Sequence, residues 1–265
     1  MKVRLSGLAF ALAMIGSPAA NAGVVTVWGE ALSGFSLSAI NDFYSGLTGH
    51  SSSIATGALD TISLSGVNLL WATQPANAYT EAELASMSNF LSGGGRIAFM
   101  GEHGSFAPDQ NTRINAALTA LGSTISINNV ILDSGFRTAS VGDGQILSHP
   151  LTTGVTSYQY AAFAPLTVSG TAVALMLGEE AYQGSPSVMM AYQNIGPGSI
   201  FLITDQNVWD NSPTWGRTFD NARMFENLLS GNTGAPPVNG VPEPASLALL
   251  GLGLAGLGAL RRRRS

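Results

Sequence analysis

The sequence predicts an α/β protein built on a doubly wound, mainly parallel sheet with an antiparallel extension. Three observations carry that prediction. Residues 24–28, 67–72, 97–100 and 200–203 are apolar throughout instead of alternating, as strands buried on both faces of a parallel sheet must be. Helical spacings of apolar residues lie between the first three of these segments. Between residues 123 and 193 the rhythm changes to short β-like pieces separated by Gly, Ser and Pro, which reads as antiparallel.

Each element follows in chain order. After the strand at 24–28, Ile40, Phe43, Tyr44 and Leu47 fall at i, i+3, i+4, i+7 and predict a helix. The strand at 67–72 leads to a second helix, where Thr80 and Glu83 form a capping box ahead of Leu84, Met87, Phe90 and Leu91. Gly93-Gly94-Gly95 ends that helix and turns the chain into the strand at 97–100. Ile114, Leu118 and Leu121 mark a third helix, with Asp109 or Asn111 as its cap. The β-like pieces lie at 124–128, 171–177 and 188–193. Gly196-Pro197-Gly198 then makes a hairpin whose second strand, from Ser199, rejoins the core. Phe225, Leu228 and Leu229 predict a last helix from Asp220. Strand–helix alternation of this kind requires right-handed crossovers.

Composition narrows the function. The 265 residues carry a net charge of −5, but Lys2, Arg4 and Arg261 to Arg264 sit at the two ends, so the middle is more acidic than the total suggests. Nucleic acid is excluded as a partner for such a body. With no cysteine, disulfides, thiolate metal sites and a cysteine nucleophile are absent together.

The ends predict where the chain goes. Lys2 and Arg4, an apolar run and Ala20-Asn21-Ala22 read as a secretory signal peptide over 1–22, which would engage the Sec export machinery. The domain is expected over 23–230 and a flexible Gly/Asn/Pro-rich linker over 231–240. In 241–265, Pro242-Glu243-Pro244 precedes sixteen uncharged residues at 245–260, and Arg261, Arg262, Arg263 and Arg264 follow. That apolar segment reaches ~24 Å as a helix against a ~30 Å hydrocarbon core, short enough for a transient inner-membrane intermediate. The arginines hold its end on the cytoplasmic side.

These three tail features in this order resemble the PEP-CTERM sorting signal. The resemblance implies processing by an exosortase and delivery to the cell surface or exopolysaccharide matrix, as in biofilm, of a Gram-negative bacterium. In the body, residues 69–72, 80–95, 97–102, 111–122, 148–151, 154–155 and 196–205 together resemble the class I glutamine-amidotransferase-like fold, a flavodoxin-like sheet, in its non-amidotransferase branches.

In open α/β sheets ligands bind outside the carboxyl ends of the strands. The polar residues expected there are Glu30, Gln74, Glu102, His103, Asp205 and Asn207, with Gln206, Asp210, Asn211 and Asp220 near by. Where the resembled amidotransferases carry a cysteine on a sharp strand-to-helix elbow, this chain has Gly101-Glu102-His103-Gly104-Ser105. Neither Glu102 nor His103 forms the thioester of glutamine hydrolysis, so that activity is rejected. His103 could serve a hydrolase as general base, oriented by Glu102 or Glu30, with Ser105 as nucleophile. Alternatively, Glu102 and His103 satisfy loop backbone groups and face solvent.

No organic cofactor is predicted. Glu30, Glu102, Asp205 and Asn207 offer the oxygen donors calcium takes, though they are also ordinary turn and cap formers. His50 and His149 read as loop residues. Trp71, Trp209 and Trp215 with Tyr79 offer either a stacking surface for sugar rings or core. The functional expectation is a non-catalytic binding module for saccharide or matrix material, against a matrix hydrolase using His103 and Glu102, or an envelope assembly accessory.

Overall fold

The computed structural model describes residues 23–29, 36–209 and 219–230. The chain runs β1 (Val24–Gly29), α1 (Ser36–Ser45), β2 (Ser51–Ile54), β3 (Leu69–Thr73), α2 (Glu81–Ser92), β4 (Arg96–Met100), α3 (Pro108–Ala120), β5 (Ile125–Ile127), β6 (Arg137–Ser140), β7 (Ser157–Tyr160), β8 (Leu166–Val168), β9 (Val173–Tyr182), β10 (Ser185–Ile195), β11 (Gly198–Ile203) and α4 (Asn221–Ser230). Among the described residues nine strands form one sheet, in the order β2-β1-β3-β4-β11-β10-β8-β5 with β9 attached to β10. From β2 to β11 every neighbouring pair is parallel. Beyond β11 the pairs are antiparallel. A separate antiparallel pair joins β6 and β7.

Both faces of the parallel part are covered, which explains its unbroken apolar runs. Leu69, Trp71, Ala98, Met100, Phe201 and Ile203 point to one face, where Ile40 and Tyr44 of α1 and Met224, Phe225 and Leu228 of α4 meet them. Leu70, Ala72, Ile97, Phe99, Ile200 and Leu202 point to the other, packed by Met87 and Leu91 of α2 and Ile114 and Leu118 of α3. The sequence thus predicts this layering correctly, including the hairpin of β10 and β11, whose second strand pairs in parallel with β4. The Thr80–Glu83 capping box is present at the start of α2.

Several details differ. The sequence pattern predicts no counterpart for β2, whose residues Ser51-Ser52-Ser53-Ile54 pair with β1 alone among the described strands and are largely exposed. An edge strand open to solvent needs no apolar run, so nothing in its composition marks it. Strands β6 and β7, of four residues each, bury Ala139, Tyr158 and Tyr160 but are too short for a repeating pattern to mark them. α3 begins at Pro108, with Ala107 as its cap and no side-chain cap bond. Proline has no N–H to satisfy at that position. Neither Asp109 nor Asn111 caps it; Asn111 lies within α3, fully buried, and is used elsewhere. Asp220 precedes α4 and binds a neighbouring segment, accepting from the N–H of Thr156 at 2.8 Å and of Ser157 at 3.1 Å.

One tie lies far from the sheet's carboxyl edge in sequence. Asp133 is 0% exposed and has φ +49°, a left-handed conformation that non-glycine residues seldom take. Its Oδ2 accepts from the Tyr160 hydroxyl at 2.6 Å and the Glu179 N–H at 2.7 Å, and its Oδ1 from the Glu180 N–H at 2.8 Å.

No helix among the described residues is long and apolar enough to cross a membrane. The predicted signal peptide, linker and 245–260 segment lie outside the described residues, as do Trp215, Asp210, Asn211 and Glu30.

Candidate functional site

The strands β3, β4 and β11 end side by side. The N–H of Gln74 donates to the Met100 carbonyl at 3.1 Å and that of Gly101 to the Ile203 carbonyl at 2.9 Å, so the loops that follow leave the sheet together. This brings Gln74, Glu102 and Asp205 into one buried polar layer. Glu102 is 1% exposed and Asp205 2%. Glu102 Oε1 accepts from the His103 N–H at 2.8 Å and Oε2 from the Gln206 N–H at 2.9 Å. Asp205 Oδ2 accepts from the Ala161 N–H at 2.7 Å and Oδ1 from the Asn207 N–H at 2.8 Å. Gln74 Nε2 donates to Gln206 Oε1 at 2.9 Å. On the other side Asn111 Oδ1 accepts from the Glu102 N–H at 3.0 Å, while its Nδ2 donates to the Glu102 carbonyl and to Asn129 Oδ1.

The electrostatics follow from that burial. Desolvation pushes the Asp205 carboxyl up to about 6. Desolvation, and next the Asp205 charge, raise Glu102 well above the usual carboxylate range. Burial lowers the His103 imidazole below its ordinary value. His103 Nδ1 lies 2.9 Å from Ser105 Oγ, and its Nε2 lies 3.8 Å from Glu102 Oε1, beyond hydrogen-bond reach.

Glu102 therefore satisfies loop backbone groups, but from a buried position and not facing solvent. The segment from Gly101 to Ser105 is not a sharp strand-to-helix elbow: a turn intervenes and α3 starts only at Pro108. Neither Glu102 nor His103 takes a positive φ. Gly104 is there for packing, since a Cβ on it would stand 2.2 Å from the Asn129 carbonyl carbon and 2.6 Å from the Val130 nitrogen. Gly104→Ala should accordingly destabilise the protein by about 1–3 kcal/mol, read as a lowered urea midpoint; an unchanged midpoint would contradict the tight approach.

Among the described residues no group of three His, Asp or Glu side chains converges to hold a metal ion. Gly23 donates its N–H to His50 Nδ1 at 2.9 Å, and His149 caps a short 3-10 turn by accepting from the Leu151 N–H at 3.2 Å. Trp71 and Trp209 are core, packed edge to face with ring centroids 5.5 Å apart, and offer sugars no surface.

The open space lies one strand pair away. A cavity of about 570 Å³ sits at the carboxyl ends of β1, β2 and β3, lined by Trp28, Ile54, Pro75, Asn77, Tyr79 and Glu83 among others. Here the strand order reverses, since β2 lies on one side of β1 and β3 on the other. Open α/β sheets form their ligand crevices at such a point. Gly29, with φ +113°, lets β1 end against β3: a Cβ there would meet the Thr73 carbonyl oxygen at 2.2 Å. Trp28 and Tyr79 form the aromatic wall, with ring centroids 5.7 Å apart. Trp28 Nε1 donates to the Gly57 carbonyl at 2.8 Å, which fixes the indole.

Sequence reasoning places Tyr79 near the strand ends and misses Trp28, which reads as the last core residue of its strand. The glycine directly after it is the one signal that the strand stops there.

Glu83 contributes the cavity's acid. Its Oε1 accepts from the Leu59 N–H at 3.0 Å and its Oε2 from the Thr80 N–H at 2.9 Å. Burial pushes its carboxyl upward, but the N–H groups of Thr80 and Leu59 and the Thr80 hydroxyl outweigh that and hold it below the usual range.

The chain is similar in structure to several solved proteins. It matches the mmIFT52 N-terminal domain with a TM-score of 0.59 and 17% identity, over 78% of this chain and 95% of that one. A putative ThuA-like protein from Parabacteroides merdae ATCC 43184 matches with a TM-score of 0.53 and 11% identity, over 84% and 94%. A β-galactosidase from Rahnella sp. R3 matches with a TM-score of 0.51 and 15% identity, over 79% of this chain but only 32% of the enzyme. At these identities the likeness is one of mixed α/β architecture. No curated protein matches the chain in sequence. Residues 240–264, which include Pro242-Glu243-Pro244 and Arg261 to Arg264, match the PEP-CTERM protein-sorting motif, so the chain carries a signal for export and surface sorting of the kind an exosortase processes.

Proposed function

We propose that this protein is an exported, non-catalytic binding module of the cell surface or extracellular matrix, and that its ligand is a saccharide seated in the cavity beside Trp28 and Tyr79. One observation carries the reading: the cavity of about 570 Å³ lies at the strand-order reversal and has an immobilised aromatic wall. Its size falls in the ~300–1,000 Å³ range of small-ligand sites. The order β2-β1-β3-β4-β11 of the parallel strands supports a flavodoxin-like sheet of the class I glutamine-amidotransferase-like type. The predicted 1–22 signal supports Sec-dependent export, and the sorting motif supports passage through the inner membrane to an exosortase.

Aromatic faces hold the C–H face of a sugar ring by burial and dispersion. Equilibrium binding of the exported protein to extracted exopolysaccharide should therefore weaken about tenfold in Trp28→Ala, a loss of ~1.4 kcal/mol. Unchanged binding in a folded Trp28→Ala protein would remove the cavity from the function.

A second reading, hydrolysis of matrix polymers, draws on the 2.9 Å approach of Ser105 Oγ to His103 Nδ1. Among the described residues the imidazole there has a hydroxyl partner and no orienting acid within hydrogen-bond reach, since Glu102 Oε1 lies 3.8 Å from its Nε2. Product release from exopolysaccharide that stops in His103→Ala would favour this reading over the first.

A further inference from the structure

The charge around the cavity selects among saccharides. Among the described residues no Lys, Arg or His lines it, and its acid, Glu83, is held ionised by the N–H donors of Leu59 and Thr80. Arg113 donates to the Pro75 carbonyl at 2.9 Å but is not part of the lining. Sites that take carboxylate, sulfate or phosphate groups supply guanidinium or ammonium partners, or helix N-terminal N–H groups free to donate. At the N-terminus of α2 the capping box with Glu83 takes up donors that an anion would need.

We infer that the cavity is specific for uncharged pyranose units and rejects uronate, sulfated or phosphorylated saccharides. This rests on the saccharide reading given above and refines it. A neutral ring offers what the wall can use, an apolar face for Trp28 and Tyr79, and brings no charge toward Glu83. An anionic ring brings its charge toward the Glu83 carboxylate without compensation, and in a half-enclosed site the repulsion is only partly screened.

The test uses the intact exported protein and defined polysaccharides, with dextran, galactan and mannan as neutral probes and alginate as the polyuronate. At least one neutral probe should bind at least tenfold more tightly than alginate. That binding should change less than twofold between 50 and 500 mM NaCl, because no ion pair contributes. Trp28→Ala should weaken it about tenfold. A second variant, Asn77→Lys, places a cation in the wall at an exposed position and should strengthen alginate binding at least fivefold at 50 mM NaCl.

Alginate bound as tightly as the neutral probes, through Trp28, would overturn the charge selectivity while leaving the saccharide reading in place. Alginate binding unmoved by Asn77→Lys would overturn it equally. No binding of any of the four probes, or binding indifferent to Trp28→Ala, would overturn the saccharide reading itself.

Discussion

Asp133→Ala is expected to remove a large share of the protein's stability. The wild-type carboxylate closes three hydrogen bonds, from the Tyr160 hydroxyl and from the Glu179 and Glu180 N–H groups, inside a site with no exposure. It fastens β7, β9 and the loop before β6 to one another. Gly178 packs closely over the carboxylate, since a Cβ there would stand 2.6 Å from Asp133 Oδ2 and 2.5 Å from the Phe163 ring. Each stranded buried donor costs ~1–3 kcal/mol. Alanine at φ +49° adds strain of ~1 kcal/mol. The Glu179 and Glu180 amides are partly reachable by water, so we expect a total near ~4 kcal/mol, against a typical ~5–15 kcal/mol for a whole domain. Asp133→Asn keeps the volume and tolerates the backbone, but turns an NH2 group toward a donor, and should lose about half as much. Tyr160→Phe removes one donor and strands no N–H, and should lose ~1 kcal/mol. Urea denaturation of the three variants gives the ranking; an Asp133→Ala loss no greater than that of Tyr160→Phe would refute the account.

The second large effect concerns pH. Asp205, pushed up to about 6 by burial, and Glu102, raised well above the usual carboxylate range by burial and then by the Asp205 charge, hold their protons more tightly in the folded chain than in the unfolded one. Between their unfolded and folded values the folded state binds more protons, so stability falls as pH rises through that window. Above pH ~6 the Asp205 cost is present in full, on the order of 3 kcal/mol for a rise of this size. Glu83 and Asp220, whose values are lowered by hydrogen bonds, act the other way, but only below the ordinary carboxylate range. His103 and His149, lowered by burial, favour higher pH up to ~6.5. Both rings are half-buried, and solvent screening keeps their share small. The melting temperature should therefore drop by several degrees from pH 5 to pH 8, and Asp205→Asn should flatten that slope by half or more. A melting temperature that rises over this interval, or the same slope in Asp205→Asn, would show that the pair does not titrate in this way.

How far these groups can be read in the sequence depends on where their partners come from. The central strands are legible because two covered faces require apolar side chains at every position, as in Leu69-Leu70-Trp71-Ala72. The capping box at Thr80 and Glu83 is legible because both partners lie within four residues. Glu102 and Asp205 are recognisable as strand-end polar residues, but their burial is set by the N–H groups of Gln206 and Ala161, contributed from 104 and 44 residues away. Asp133 is invisible for the same reason: its donors come from β7 and β9. Trp28 is hidden by the opposite effect, since an aromatic residue ending an apolar run has the composition of core and is distinguished only by the space beside it.

The serines of β2 bear on crowding. A protein gathered at high density on an outer surface brings the margins of its sheets close to those of its neighbours, and an unpaired margin can template strand-to-strand joining between copies. Here one margin is a four-residue run of three hydroxyl side chains and Ile54, too brief and too well hydrated to seed an extended stack. That edge gives a neighbouring copy little to pair with.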